Sequence, residues 1–481
     1  MTESVPDLAA FAAVPEVRLA VEIVGALVIG VGLLQNLIYL IQLVVAYWAF
    51  RREPPVTSLR TLWSLYGDVT PPISLLVPGY NEEASIVESV RSLLALQYPS
   101  FEVIVINDGS KDATLERLAA AFNLKPVERA WEPAIAHKPI RGLWGSADVP
   151  NLLVIDKENG GKADALNAGI NLSRSPLFCG VDADSLLEVD SLLKVVRPFV
   201  EDPERTVVVG GTIRVVNGCQ IRNGRLVRVG LPRQILPLFQ TVEYLRAFLM
   251  ARLAWSRLKA LTIVSGAFGV FRRNVAIAVG GYSLGTVGED IEIIVKIHRR
   301  MLEEGRAYAV RFSPEPVCWT EAPTDLGTLS RQRIRWQRGA LETFFRHRSM
   351  LFRLRYGRVG TLGFGQILVG DVLGPPIEVL GYLLIPLFWA LGLLSWDFML
   401  AFLAMTFVFG VFLSVGALFL EELQLRRFPR ARDLLVLALA SVAENFGYRQ
   451  LNNWWRIVGW WRFLRRTEGW GHMRRTGFRK E

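Results

Sequence analysis

"ISLLVPGYNEEASIVESVRSLLALQYPSFEVIVINDGS", residues 73–110, decides the fold class. Its first ten residues read as a buried strand halted by Pro78 and Gly79. "ASIVESVRSLLAL" then has apolar residues at helical spacing, and "FEVIVINDGS" is a second apolar strand closed by polar turn residues. A helix over Ala113 to Phe122 comes next. Strand, helix, strand and helix at this spacing predict a parallel sheet with crossover helices. Ligands bind outside the carboxyl ends of such strands. Those ends are "PGYNE" and "NDGS".

Outward from this stretch the pattern continues. Residues 123–151 carry Pro, Trp and basic residues and read as an irregular loop or insertion. "NLLVID", 151–156, resumes a strand, and "GGKADALNAGINLS" gives a turn and a helix. "PLFCGVDADSLLEV" reads as a strand ending in acids, and "RTVVVGGTIRVVN" as another strand. Residues 235–260 suggest an amphipathic helix, and "LTIVSGAFGVFRR" a strand and turn. "TVGEDIEIIVKIHRR", 286–300, then puts Glu289 and Asp290 where a loop becomes a helix. Acids are common there because a helix N-terminus carries partial positive charge.

The 481 residues are 51% hydrophobic, and the excess lies at the two ends. Ile23 to Phe50, Val379 to Trp396 and Phe398 to Leu420 are free of charged residues, which supports three spanning helices. The first 17 residues are acidic, with Glu3, Asp7 and Glu16, which argues against a cleavable signal peptide. Arg51 and Arg52 after the first span, and the basic loop "RRFPRAR", place the central domain in the cytoplasm by the positive-inside rule. A net charge of +10 raises the question of nucleic acid, but much of the Arg lies beside Trp and apolar spans, as in "WWRFLRRTEGWGHMRRTGFRK". That pattern is a headgroup-facing anchor, so the expected partner is the lipid bilayer and no nucleic acid. Cys179, Cys219 and Cys318 have no metal-ligand spacing.

Three short patterns carry chemistry. "DADS" places Asp182 and Asp184 two apart, on one face of an extended segment, where a hard cation would relieve their repulsion. A polar turn after a strand is the plainer reading of it. "ENGGKADALNAG" opens a helix with two glycines and Lys162, which suits phosphate oxygens but equally a solvated helix start. "SRQRIRWQRGALE" aligns Gln332, Arg335 and Trp336 on one helix face. Arg grips pyrophosphate and Trp stacks on sugar rings, while a basic helix lying on the membrane is compatible with the same pattern.

In order, "VPGYNE", "NDGSKD", "GGKADALNAG", "DADS", "GED" and "QRIRW" resemble the processive membrane glycosyltransferases of family 2, which include poly-N-acetylglucosamine, hyaluronan, chitin and cellulose synthases. The resemblance covers about residues 73–345. It implies an α/β GT-A domain, a mostly parallel sheet flanked by helices, with an α-helical transmembrane region and interfacial helices. It also implies a UDP-sugar donor, a growing glycan acceptor, Mg²⁺ or Mn²⁺, and room for accessory export or modifying subunits. Carried over by position, Asp290 is the catalytic base. Tyr80, Glu82, Asp108, Lys162, Asp182, Gln332 and Arg335 bind the donor. Trp336, Ser265 and Gly266 bind the acceptor, and Asp184 with Asp182 holds the metal. "CWTEAP", 318–323, resembles a segment flanking the acceptor pocket. Asn107 replaces one acid of the usual pair, Gly79 replaces the frequent Thr or Ser, and Gly288 stands where cellulose synthases carry Thr. Those departures make cellulose the less comfortable product.

The expected organisation is an extracytoplasmic N-terminus (1–17), a span (18–50), a linker (51–72), the GT-A domain (73–325) and interfacial helices (326–358). Beyond these come an interfacial or transmembrane helix (359–396), a span (398–420), an ambiguous transmembrane or re-entrant helix pair (433–464) and a basic tail (465–481). The function this implies is inverting transfer, with UDP-N-acetylglucosamine the first candidate, to a β-linked polymer, in a multi-pass protein of the cytoplasmic membrane. Two alternatives share parts of the pattern. A non-processive enzyme adding one sugar to a lipid carrier would lack the Q-x-x-R-W tryptophan. A non-enzymatic nucleotide or lipid sensor would have no need of Asp108, Asp182, Asp184 and Asp290.

Overall fold

The computed structural model describes residues 15–52, 58–222, 224–425 and 430–466. The acids Glu3 and Asp7, most of "RRFPRAR" and the tail beyond residue 466 lie outside the described residues.

Twelve strands are described: β1 (Ile73–Gly79), β2 (Phe101–Asp108), β3 (Leu124–Pro126), β4 (Ile140–Ser146), β5 (Leu152–Lys157), β6 (Leu177–Val181), β7 (Leu186–Leu187), β8 (Thr206–Val215), β9 (Gln220–Arg222), β10 (Arg225–Arg228), β11 (Phe268–Arg272) and β12 (Ala309–Thr320). Ten form one sheet in the order β3-β4-β5-β2-β1-β6-β11-β8-β12-β7, and β9 with β10 makes a separate hairpin. The centre, β5-β2-β1-β6, is parallel, as the apolar runs of strands buried on both faces require. Outside this centre the sheet is mixed: β8 and β12 run parallel, while β3 with β4 and β7 with β12 are antiparallel. Strand β11 enters between β6 and β8 against their direction, and β4 runs against β5. Residues 123–151 are correspondingly no mere loop: they supply β3 and β4 at the sheet edge.

Register aligns the strand ends. Gly79 lies opposite Asn107, Asn107 opposite Asp156, and Asp108 opposite Lys157, so β1, β2 and β5 end flush. The helix Lys162–Leu172 crosses behind them with ten of its eleven residues buried, Gly169 lying against Leu76 and Ile106.

Among the described residues, three helices are long and apolar enough to cross a membrane: Pro15–Arg52, Val359–Ala390 and Trp396–Leu423. The second starts with wide π turns at Val359–Gly363 and Leu368–Leu373 before Pro375 and Pro376 begin the helix Gly374–Ala390. Proline has no N–H to give the preceding turn, so carbonyls there need other donors. Gln35 of the first span supplies one, to the Val369 carbonyl at 3.2 Å. The C-terminal region is a pair of helices, Ala431–Ala443 and Tyr448–Leu464, joined through Gly447 at φ +93°. Several polar groups inside the bundle are paired: Glu444 with Ser414 at 2.7 Å and with Arg246, Glu378 with Asn453, and Arg214 with Glu421.

Candidate active site

The flush ends of β1 and β2 are tied to each other by their own loops. The Asn81 N–H donates to Ser110 Oγ at 3.0 Å, and Asn81 Oδ1 accepts from the Lys111 N–H at 2.8 Å. Asn81 adopts φ +57°, which Asn tolerates better than most residues. Tyr80 is exposed beside this lock, and Glu82 is buried with Ser85 Oγ at 3.0 Å. Asp108 is buried, and both of its oxygens are engaged. Lys157 Nζ lies at 2.7 Å, and the Gly160 and Gly161 N–H groups at 3.0 and 2.7 Å. Asp108 therefore clamps the glycine loop before Lys162. Gly109, at φ +69°, has to be glycine, since a Cβ there would lie 2.7 Å from the Asn159 nitrogen.

Lys162 is the centre of the charged cluster. Its Nζ sits 2.5 Å from Asp182 Oδ1 and 3.9 Å from Glu289 Oε1, and donates to the Gly266 carbonyl at 2.8 Å. A Cβ on Gly266 would lie 3.1 Å from Asp290 Oδ2, so Gly266, Asp290 and Lys162 meet here. Ser265 turns its hydroxyl to the Ala267 N–H at 3.1 Å. Burial opposes the Lys162 charge, but Asp182, Glu289 and Asp290 outweigh it and hold its pKa above the ordinary lysine value. Adjacent residues at a helix start are expected to point apart. Instead the longer Glu289 side chain reaches Lys162 while Asp290 faces the same cluster across Gly266. Burial first, and then Asp290 against the pull of Lys162, push the Glu289 carboxyl up to about 7.

Asp182 and Asp184 are neighbours, though not by the extended geometry inferred from their spacing. Strand β6 stops at Val181, and a turn closed by the Ser185 N–H on the Asp182 carbonyl at 3.0 Å carries Asp184. Burial and then the Asp182 charge push the Asp184 carboxyl up to about 7, against Lys162. Two neighbouring carboxylates that raise each other's charge cost offer hard oxygen donors of the kind a divalent cation takes. Among the described residues no group of three or more His, Cys, Asp or Glu converges on one point, so the remaining ligands would be phosphate oxygens and water.

The helix Leu326–Arg346 is capped by Asp325, whose carboxylate accepts from the Thr328 N–H at 2.8 Å. Gln332 is half-buried, and its Oε1 is a buried atom without a partner among the described residues. The positive charge of Arg335 acts on Glu289. Trp336 is 44% exposed, with the Arg333 guanidinium 4.5 Å from its ring centroid. This helix meets the loop before Glu289 backbone to backbone: a Cβ on Gly288 would lie 2.6 Å from Gly339 Cα, and one on Gly339 2.7 Å from Gly288 Cα. Glu342 fastens the contact, accepting from Thr286 Oγ1 at 2.8 Å, the Val287 N–H at 3.0 Å and Arg338 Nε at 2.6 Å.

Sequence reasoning missed Lys157, buried between Asp108 and Asp164 at 2.7 and 2.6 Å, and Arg333, forked on Glu243 at 2.6 and 2.8 Å. A lysine ending an apolar strand was the only signal for the first, and the second was hidden within Q-x-x-R-W. Trp319 of "CWTEAP" is 1% exposed, donates to Glu188 Oε1 at 3.1 Å, and lines a cavity with Arg214 and Tyr244.

Residues 74–280 match the profile of Glycosyl transferase family 2, and residues 178–420, over half of the chain, that of Glycosyl transferase family group 2. The chain belongs to the family 2 glycosyltransferases. The poly-beta-1,6-N-acetyl-D-glucosamine synthase of Staphylococcus aureus (strain COL) is 28% identical over 301 residues, 62% of each chain, and that of Staphylococcus epidermidis matches to the same extent. The match thus spans less than two thirds of those relatives' own length. A solved mannosyltransferase, PcManGT from Pyrobaculum calidifontis in complex with GDP-Man and Mn²⁺, shares the fold. Its TM-score is 0.52 at 17% identity, over 92% of this chain and 100% of that one.

This geometry has two testable consequences. Gly288→Thr puts a branched side chain into the Gly339 backbone, which must separate the helix Leu326–Arg346 from Asp290. Turnover is expected to fall by about tenfold or more, with Gly288→Ala intermediate and far-ultraviolet circular dichroism retained; full activity of Gly288→Thr would contradict the clamp.

The second concerns Glu289. Its pKa in the fold lies above the ordinary glutamate value of 4.5, so its ionisation destabilises the protein progressively as pH rises toward and through 7. Without metal or donor, Glu289→Gln should therefore melt higher than wild type at pH 8, by a few degrees on the order expected for a large domain. The gap should close toward pH 5. A gap that does not change with pH counts against a buried, titrating Glu289.

Proposed function

We propose that this glycosyltransferase is an inverting polysaccharide synthase that transfers a sugar from a nucleoside-diphosphate donor to the end of a growing β-linked chain. UDP-N-acetylglucosamine is the first candidate donor, on the motif resemblance and the products named for the staphylococcal relatives. The observation that carries the reading is the meeting of Asp290, Lys162 and Gly266 at one point, with the Gln332–Trp336 helix clamped to the same loop.

In this reading Tyr80 and Glu82 lie beside the nucleoside. Asp108 holds the glycine loop that brings Lys162 to the diphosphate. Arg335 and Lys162 stabilise charge growing on the leaving group. With Asp182 and Asp184 as its protein ligands, Mg²⁺ or Mn²⁺ would add to that stabilisation. Gln332 has a buried acceptor, Oε1, without a partner among the described residues, which can accept a hydrogen bond from a hydroxyl or amide N–H of a bound sugar. Trp336 stacks on the acceptor sugar, and Ser265 and Gly266 floor its site. Asp290 takes the proton of the attacking hydroxyl, and holding the two sugars in line supplies much of the rate. We assign the catalytic domain to residues 73–325 on the cytoplasmic side of a multi-pass protein, with polymer export coupled to synthesis.

Asp290→Asn keeps size but removes the basic oxygen. Donor binding should survive, measured by calorimetry in nanodiscs, while transfer falls about a hundredfold or more. A near-normal rate would place the base elsewhere. Chelation and Asp184→Ala should each abolish transfer in membranes supplied with labelled sugar nucleotides. Sizing the product separates a polymer from a single sugar on lipid; the latter outcome overturns the synthase reading.

A further inference from the structure

Between the helix Leu326–Arg346 and the span starting at Val359 runs "RSMLFRLRYGR", residues 348–358. Its inner face is packed. Met350 and Tyr356 are buried with Ile291 and Val295 of the helix Glu289–Glu303 and with Phe364 of the span. Tyr356 donates its hydroxyl to Glu303 Oε1 at 2.9 Å, and Arg355 donates to the Glu303 carbonyl at 3.3 Å. The outer face is the opposite. Phe352 is 61% exposed and Leu354 89%, the highest value for a large apolar side chain among the described residues.

Phe352 is also held at φ +54°, an uncommon conformation for a bulky residue. Its N–H donates to the Gly360 carbonyl at 3.1 Å, so the loop folds back on the second residue of the span. That bond ties the loop to the first turn of the candidate span. Arg348, Arg353, Arg355 and Arg358 are all exposed around the two apolar side chains. Apolar tips ringed by guanidinium groups at the end of a span match a headgroup layer, where hydrocarbon and phosphate lie a few ångströms apart. Arg suits phosphate better than Lys, because its planar fork binds two oxygens at once.

We propose that this loop docks on anionic lipid headgroups. Phe352 and Leu354 enter the boundary between headgroups and acyl chains, Arg348, Arg353 and Arg358 take lipid phosphates, and the docked loop sets the position of the helix that begins with Glu289 and Asp290. The coupling is mechanical. The helix is gripped at its far end through Glu303 and along its side by Met350 and Tyr356, so a shift of the loop moves the helix as a rigid body.

Two measurements test this in full-length protein. The first locates the loop without reference to activity. Cys179 and Cys318 are buried, so Cys219→Ser with Leu354→Cys leaves one reactive thiol for a nitroxide. In nanodiscs of phosphatidylcholine with one third phosphatidylglycerol, the label should be relaxed by dissolved oxygen more than by an aqueous nickel chelate. A label reached mainly by the chelate overturns the docking, whatever the donor sugar proves to be.

The second measures control. Wild-type turnover should rise on the order of threefold or more when phosphatidylglycerol is added to phosphatidylcholine. The triple variant Arg348→Gln, Arg353→Gln, Arg358→Gln should turn over alike in both lipids, at the wild-type rate in phosphatidylcholine. The corresponding triple Lys variant, which keeps the charge but not the fork, should respond in the same direction as wild type but by less. An equal lipid response from the Gln variant, or no response from wild type, overturns the control of the helix.

Discussion

Crowded negative charge at the carboxyl edge of the sheet is the constraint around which the rest is arranged. Asp182, Glu289 and Asp290 act on a single ammonium, Lys162, and Asp184 lies beside Asp182. Burial and mutual repulsion raise Asp184 and Glu289 toward neutrality, so the cluster works against folding stability. Stability given up at one place is the usual mark of a site kept for chemistry. The field is fixed before substrate arrives, because the Lys162 ammonium is held by the Gly266 carbonyl as well as by Asp182.

Holding such a cluster needs rigid surroundings, and they come from backbone register and close approach. Strands β1, β2 and β5 end level, which lets Asp108 reach the Gly160 and Gly161 N–H groups while Lys157 bridges Asp108 and Asp164. Removing one partner from such a buried ionic group would leave the others uncompensated, at a cost of about 3–5 kcal/mol. On the other side, Gly288 and Gly339 bring two backbones together, and Glu342 locks them. The departure from Thr at position 288 thus has a steric reason within this chain.

The membrane region continues this framework. Gln337, one residue beyond Trp336, donates to the Asp371 carbonyl at 2.6 Å and accepts from Arg456 at 2.8 Å. Arg456 in turn reaches Asp371 Oδ1 at 2.8 Å. One helix therefore contacts the acid-bearing loop, a span and the C-terminal helix Tyr448–Leu464 at once.

Much of this was legible in the sequence because the deciding signals are local. Apolar runs of five to eight residues ending in turn chemistry mark β1, β2, β5 and β6, and charge-free runs mark the long apolar helices. Short patterns around Asp182 and Asp290 pointed to residues that gather around Lys162. Non-local pairing was not legible. Strand β4 has no clear alternation, and β11 is assigned to its slot by partners that lie 61 to 95 residues away in the chain. The "DADS" spacing reads as an extended segment, whereas the chain turns after Val181 and the turn carries Asp184. The Gly288–Gly339 contact, the burial of Lys157 and the shared orientation of Glu289 and Asp290 depend on how elements distant in sequence pack. A period or a motif reports which face a residue occupies on its own element; only the tertiary structure decides what that face meets.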